Sequence, residues 1–273
     1  MDYAGKVVVI TGAAGGLGLA LSEQFLAAGA CVALLDMNAS AVHSAAERLL
    51  LTAPGRALAI PCDISDAAAC QQAISAIIAH WGGIDVLVNN AGIAHRSLLC
   101  DTDIAVLRKV MAVNFFGAVQ CTHAALHSLR ARRGQIVVIS SIAGFSPLFG
   151  RTGYSASKHA LHGFFDSLRS EVEDDGVDVT IVCPAFIATG IERAALGGDG
   201  GRATLPRNAV GGEMSPHDMA ARILAAVRRR QRLYLPTSLA RLAWWASRLV
   251  PAWFARQMKR RAAPSRSSIT DQP

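Results

Sequence analysis

The sequence predicts one α/β domain: a doubly wound, seven-stranded parallel sheet with helices on both faces, extended by an amphipathic helical tail. Three observations predict it. Near-continuous runs of Val, Ile, Leu and Ala recur along the chain, as strands covered on both faces do. Ala- and Leu-rich segments of helical length separate them, and that alternation implies right-handed crossovers and a parallel sheet. The chain has 273 residues, of which 52% are hydrophobic and 17% charged, enough for one large core and too apolar for extended disorder.

In order, the strand-like runs fall at 6–11, 31–36, 57–62, 84–89, 135–141 and 178–184, with a short seventh at 232–236. Residues 17–28 read as the first helix, closed by Gly29, where a left-handed backbone is expected. Residues 105–130 read as one long helical segment. Ser215-Pro216-His217-Asp218 reads as a helix cap with proline at the first helical position. Residues 187–212 are Gly-rich and lack a sustained period, which marks a mobile lid or substrate loop.

The net charge of +7 is unevenly placed. Residues 219–270 hold twelve Lys and Arg and no Asp or Glu, whereas 1–218 carries 15 basic and 19 acidic side chains. The mildly acidic body argues against a nucleic-acid site, and the basic tail implies a surface partner. Cys31, Cys62, Cys70, Cys100, Cys121 and Cys183 form no Cys-x-x-Cys and sit mostly in apolar runs. Reduced thiols and a cytoplasmic setting are expected. The first strand starts at Lys6, so the N-terminus is expected to belong to the fold without a leader. No stretch is expected to reach the roughly 18 uncharged apolar residues of a membrane span.

The segment Thr11-Gly12-Ala13-Ala14-Gly15-Gly16-Leu17-Gly18 joins the first strand to the first helix. Glycines there allow a tight turn and close approach of a pyrophosphate to the helix N-terminus. Asp36 ends the second strand, where a carboxylate accepts hydrogen bonds from the adenosine ribose and repels a 2′-phosphate. Neither the turn nor Met37 supplies a cation for that phosphate. The expected cofactor is therefore NAD, held in a Rossmann domain at 1–236 that also carries the chemistry, with the tail at 237–273.

Tyr154 and Lys158 stand four residues apart, on one face of a helix. A free phenol titrates near pH ~10, too high for a base at neutral pH, and a nearby ammonium favours the phenolate. Ser141, at the carboxyl edge of the fifth strand, can hydrogen-bond a substrate oxygen. The pair suits proton removal from an alcohol during hydride transfer to a nicotinamide.

These motifs, taken together, resemble the short-chain dehydrogenase/reductase family, in its shorter oxidoreductase branch. The resemblance runs from about Lys6 to Pro236. It rests on Thr11-Gly12-x-x-x-Gly16-x-Gly18, Asp63, Asn89-Asn90-Ala91-Gly92, Asn114, Ser140-Ser141-Ile142-Ala143-Gly144, Tyr154-x-x-x-Lys158, and Pro184 with Thr189. The glycines also fit Gly12-x-x-Gly15-x-x-Gly18, the pattern of the longer epimerase and dehydratase branch, but chain length and Asn89-Asn90-Ala91-Gly92 favour the shorter one. The resemblance implies a catalytic set of Asn114, Ser141, Tyr154 and Lys158. Asn114 would position a relay water and Lys158 would bond the nicotinamide ribose. It implies cofactor contacts at Gly12, Gly16, Leu17, Gly18, Asp36, Asp63, Ile64, Asn90, Ala91, Gly92, Ile187 and Thr189. Asp63 and Ile64 would meet the adenine, and Thr189 the carboxamide. The chain departs from the family in one place, with Pro184-Ala185 where Pro-Gly is usual.

His123 and His127, like His159 and His162, are close enough in sequence to suggest a metal. No third ligand is evident, so no metal is expected, and the resemblance places these helices at a homodimer or homotetramer interface. In the tail, Leu242, Trp245, Leu249, Val250, Trp253 and Phe254 interleave with Arg241, Arg248, Arg256, Lys259, Arg260 and Arg261. Pro251 is expected to kink or divide it. Such a helix lies on an anionic membrane surface, or packs over the substrate cleft or a partner subunit. The expected substrate is a lipophilic secondary alcohol or ketone, such as a steroid, fatty or aromatic alcohol. Two other readings stay open on the sequence: a non-catalytic NAD-binding sensor or scaffold, and a peripheral membrane protein whose tail is its main functional element.

Overall fold

The structure is a computed structural model that describes residues 2–205 and 212–262. Its elements are β1 (Val7–Thr11), α1 (Gly16–Ala27), β2 (Cys31–Asp36), α2 (Ala39–Leu50), β3 (Ala57–Pro61), α3 (Ala67–Trp81), β4 (Val86–Asn89), α4 (Ile104–Met111) and α5 (Gly117–Arg132). There follow β5 (Gln135–Ile139), α6 (Thr152–Val172), β6 (Asp178–Val182), α7 (Pro216–Arg228), β7 (Leu233–Tyr234), α8 (Ser238–Leu249) and α9 (Pro251–Ala262). The strands form one sheet in the order β3-β2-β1-β4-β5-β6-β7, and every neighbouring pair is parallel. The doubly wound, seven-stranded Rossmann-like sheet that the sequence predicts is present.

The near-continuous apolar runs have a direct cause. Val8 and Ile10 of β1 point to a core with Leu21 and Phe25 of α1, Val42 of α2 and Ile223 of α7. Val7 and Val9 point the other way, to Ile74 and Ile77 of α3, Leu129 of α5 and Phe165 of α6. Side chains alternate across a strand, so a sheet covered on both faces needs apolar residues at every position.

Several boundaries differ from the sequence reading. The run at 84–89 becomes a strand only at Val86, because buried Asp85 is an anchor: it accepts the Val7 N–H at 2.9 Å and pairs with Lys6 and Arg132. The runs at 135–141 and 178–184 end as strands at Ile139 and Val182. Helices start and stop as expected: Gly29 has φ +90°, and the Ser215 hydroxyl accepts the Asp218 N–H at 3.1 Å.

Residues 105–130 are not one regular helix. A π-helical turn at Ala112–Phe116 separates α4 from α5. The sequence reading of membrane spans also needs correction, because Ile104–Arg132 is long and apolar enough to cross a bilayer, with a mean hydropathy of 1.4 over its best window. Here it lies against α3 and α6, with Cys121, Ala125 and Leu129 in the core. An apolar helix packed in a large core passes the same test of length and composition.

Residues 187–205 are irregular, as expected, and are tied down by backbone hydrogen bonds. Leu196 exchanges backbone hydrogen bonds with Ala94 and Arg96, and the Asp103 N–H reaches the Gly198 carbonyl at 2.8 Å. The remainder of the expected lid, at 206–211, lies outside the described residues, as does the end of the tail beyond residue 262.

Pro251 divides the tail into α8 and α9. The Trp244 ring meets Phe145 edge-on at 5.0 Å and stacks on His162 at 6.3 Å. Arg248 lies over the same ring, 3.1 Å from its centroid. The cysteines described are free thiols, with Cys62, Cys70, Cys121 and Cys183 buried, Cys31 half-buried and Cys100 exposed.

Candidate active site

The strand order reverses between β1 and β4, and a crevice opens at the carboxyl ends of the strands beside such a switch point. Gly12 turns the chain out of β1 with φ +65°, and a Cβ on it would stand 2.8 Å from the Ala91 Cα. A Cβ on Gly18 would run into the Gly12 carbonyl oxygen. Turn, helix and the segment after β4 therefore touch backbone to backbone, which other residues would prevent. Asn90 locks the junction: its side-chain amide donates to the carbonyls of Thr11 and Gly12 at 2.9 and 3.2 Å. The Thr11 hydroxyl accepts the N–H groups of Asn90 and Ala91, each at 3.0 Å.

The crevice has a volume of about 520 Å³, and Gly12, Gly15, Gly16 and Leu17 form its floor at the start of α1. Asp36 closes one end. Its carboxylate accepts the N–H groups of Ala14 and Asn38, both at 3.1 Å, which fixes it against the glycine turn. Asp63 and Ile64 are not in the crevice wall. Asp63 accepts from Ser65 at 2.8 and 2.9 Å, and Ile64 is buried beneath Gly117 of α5.

At the other end stand Ser141, Tyr154 and Lys158. Ser141 lies two residues past β5 and caps the short helical turn Ile142–Gly144, its hydroxyl accepting the Ala143 N–H at 3.1 Å. Tyr154 sits in the first turn of α6, where burial pushes its pKa up and the neighbouring Ser141 hydroxyl pulls it down. Lys158 is one turn further on. Its Nζ donates to the Ile139 carbonyl at 2.9 Å and lies 5.8 Å from the Tyr154 ring centre. Burial lowers its pKa to about 8.

Asn114 is absent from the crevice surface and buried behind it. Its Oδ1 accepts the Ile93 N–H at 2.8 Å, and its Nδ2 donates to the Ile93 carbonyl and the Ser157 hydroxyl, both at 3.0 Å. A Cβ on Gly92 would lie 3.2 Å from Asn114 Oδ1 and 3.6 Å from Lys158 Nζ. Asn114, Gly92 and Lys158 thus converge. The π turn is what aims Asn114 at this point, since one extra residue in a turn rotates the side chains that follow.

Ile187 and Thr189 line the opposite lip, as do Pro184 and Ala185. The Thr189 side chain is 3.3 Å from where a Gly16 Cβ would stand, so the chain after β6 reaches across to α1. Sequence reasoning missed Leu148, Arg151 and Glu192, which also line the crevice. Arg151 makes a two-pronged salt bridge to Glu192 at 2.7 and 2.8 Å, and Arg96 joins at 3.2 Å. Arg151 stands three residues before Tyr154, a spacing that reads as an exposed helix position until the fold brings Glu192 over it. Behind the site, His162 Nε2 lies 3.1 Å from the Ser140 hydroxyl, and burial lowers its pKa to about 4. His123 and His127 face outward on α5.

The short-chain dehydrogenase family model matches residues 6–197, a span that contains every residue lining the crevice. The chain belongs to the short-chain dehydrogenase/reductase family. It is 39% identical over 269 residues to dehydrogenase/reductase SDR family member 7B of Bos taurus, covering 96% of this chain and 83% of that one. It is also 39% identical over 264 residues to a dehydrogenase/reductase SDR family protein 7-like from Anopheles gambiae, covering 94% and 83%. A solved short-chain dehydrogenase/reductase from Burkholderia phymatum, in complex with NAD, superposes with a TM-score of 0.80 at 25% identity, covering 97% of this chain and 98% of that one. Membership makes this chain an oxidoreductase of that family.

Proposed function

We propose that this short-chain dehydrogenase/reductase transfers a hydride between NAD and a lipophilic secondary alcohol or ketone. The observation that carries the reading is the meeting of Ser141, Tyr154 and Lys158 in one crevice wall, with Lys158 buried one helical turn from Tyr154.

The crevice fits a dinucleotide. A Cβ on Gly15 would meet no atom within 4 Å, which leaves room above the start of α1 for a pyrophosphate facing its free N–H groups. Gly12, Gly16, Leu17, Gly18, Asn90, Ala91 and Gly92 shape that floor and wall. Asp36 would take the ribose hydroxyls and exclude a 2′-phosphate, so the cofactor is NAD. Ile187 and Thr189 would hold the nicotinamide end. Asp63 and Ile64 stand beside the adenine end without forming its wall. Bound NAD supplies the acceptor for the hydride leaving the alcohol carbon.

The chain's own residues manage the proton. Ser141 orients the substrate oxygen by hydrogen bond. Tyr154 takes the alcohol proton at its phenolic oxygen. Burial opposes the charged form of Tyr154 and of Lys158 separately, so phenolate and ammonium are best formed together in that low-dielectric pocket. Asn114 fixes the π turn and the Gly92 backbone against Lys158, in line with the proton relay. Leu148, Ile93, Ala94, Phe186 and Ile191 surround the approach to Tyr154, which favours a lipophilic substrate.

The outward faces of α5 and α6, where His123, His127 and His159 are exposed, are the proposed contact of a homodimer or homotetramer. The free thiols suit a reducing, cytoplasmic compartment. The test of function is NADH formation by the full chain across pooled steroid, aliphatic and aromatic alcohols. Turnover with at least one class is expected, reduced about a thousandfold by Tyr154→Phe. NAD binding without turnover on any class would instead support a non-catalytic NAD sensor.

A further inference from the structure

The helices that follow β7 present two faces of opposite fate. One face of α8 is spent on the protein: Trp244 covers Phe145 and His162, and Ala240 is buried. The other is apolar and open. Leu242 is 67% exposed, Trp245 59% and Leu249 72%, at the i, i+3, i+7 spacing of one helical stripe. Past the break at Pro251, Trp253 is also exposed, at 57%, while Phe254 is buried at 7%. Soluble surfaces scatter large apolar residues singly, and a stripe of three on one helix face marks a contact site.

The charges beside it name the occupant. Arg241, Arg248, Arg256, Lys259 and Arg260 flank the stripe, and residues 219–270 contain no Asp or Glu. A second copy of this chain meeting the same face would bring two basic sets together. An anionic lipid surface satisfies both features, since the apolar stripe enters the headgroup boundary while Lys and Arg attract acidic lipid.

We infer that α8 and α9 form a membrane-surface anchor, with Leu242, Trp245, Leu249 and Trp253 entering an anionic bilayer and the basic residues lying among its headgroups. The anchor does not depend on the proposed reaction. Because Trp244 on the opposite face covers Phe145, in the segment that follows Ser141, the docked protein holds its substrate end close to the lipid.

The full chain would be sedimented with vesicles of phosphatidylcholine alone and of phosphatidylcholine with about one third phosphatidylglycerol. Roughly tenfold more protein is expected on the anionic vesicles, with most released by high salt. Trp245→Glu combined with Leu249→Glu, both exposed and remote from the crevice, should abolish binding while NAD affinity and the circular dichroism spectrum stay unchanged. Arg256→Glu with Lys259→Glu and Arg260→Glu should remove the anionic preference. The inference is overturned by three results: no binding to either vesicle, equal binding to both, or a lipid-free dimer that Trp245→Glu with Leu249→Glu dissociates. That last result would make the occupant a second copy.

Discussion

Lys158 carries the clearest conflict between stability and chemistry. The unfolded chain holds its ammonium to near pH 10.5, the folded chain only to about 8. Between those values the unfolded state binds more protons, so stability rises with pH, and the whole penalty is present at pH 7. Lys158→Met should therefore be more stable at pH 7 by up to about 3 kcal/mol, less what the unbonded Ile139 carbonyl costs. Denaturant titrations should show that margin vanishing towards pH 10. The same variant should lose more than about a hundredfold in kcat/KM for alcohol oxidation, with the acid limb of its pH profile moved to higher pH, because Tyr154 loses its cation. An unchanged limb would remove Lys158 from the proton step. Asp36 is tested separately: Asp36→Ala with Met37→Arg should shift preference from NAD towards NADP by at least about tenfold in kcat/KM. Tyr154, Lys158 and Ser141 were legible because the proposed chemistry constrains residue type and spacing. Arg151 and Glu192 were not, since an ion pair across 41 residues leaves no local pattern.

Among the elements, the glycine turn is the least tolerant. Gly18→Ala would drive a methyl group into the Gly12 carbonyl, backbone against backbone. A loss of about 2–4 kcal/mol is expected, with weakened NAD binding, and thermal melts with and without cofactor would read both. Trp244 does comparable work for the tail. Trp244→Ala should cost about 2–4 kcal/mol by uncovering Phe145 and His162. It should also raise KM more than it lowers kcat, because the segment after Ser141 loses its cover. The helix 104–132 shows where pattern reading stops. Its apolar spacing announces a helix, but a π turn depends on what packs around Asn114, and no residue in Ala112–Phe116 requires it. The stretch 187–205 reads as a loose loop because its order comes from hydrogen bonds to 94–103, which period and composition do not record.

Across the whole molecule, the layers follow from alternation, since a parallel sheet covered on both faces needs near-continuous apolar strands between helical segments. Layer structure was therefore open to sequence reading, while the strand order and the faces of the tail were not. Leu242 and Trp244 look alike in sequence, and only the position of Phe145 decides which is covered. Binding at the crevice joins β1, α1, β4 and the lip after β6, so cofactor should stabilise the molecule as one unit. At a hundredfold excess over its Kd, NAD is expected to add about 2.7 kcal/mol to the unfolding free energy. NADP at the same concentration should add far less. Equal shifts in Tm with both would refute the role given to Asp36.

The sulfur chemistry of the core doubles as a clock. Cys70 and Cys121 face each other at 3.6 Å between α3 and α5, and the hydrogen bond with Cys121, together with burial, pushes Cys70 up to about 12; both thiols are buried, so reagent reaches neither while the helices stay shut. Cys100 is open to reagent from the start. An alkylating probe should thus mark Cys100 within the mixing time and reach Cys70 and Cys121 only as often as that helix pair parts. The interval between the two labels measures how frequently the far side of the sheet breathes, without any engineered reporter.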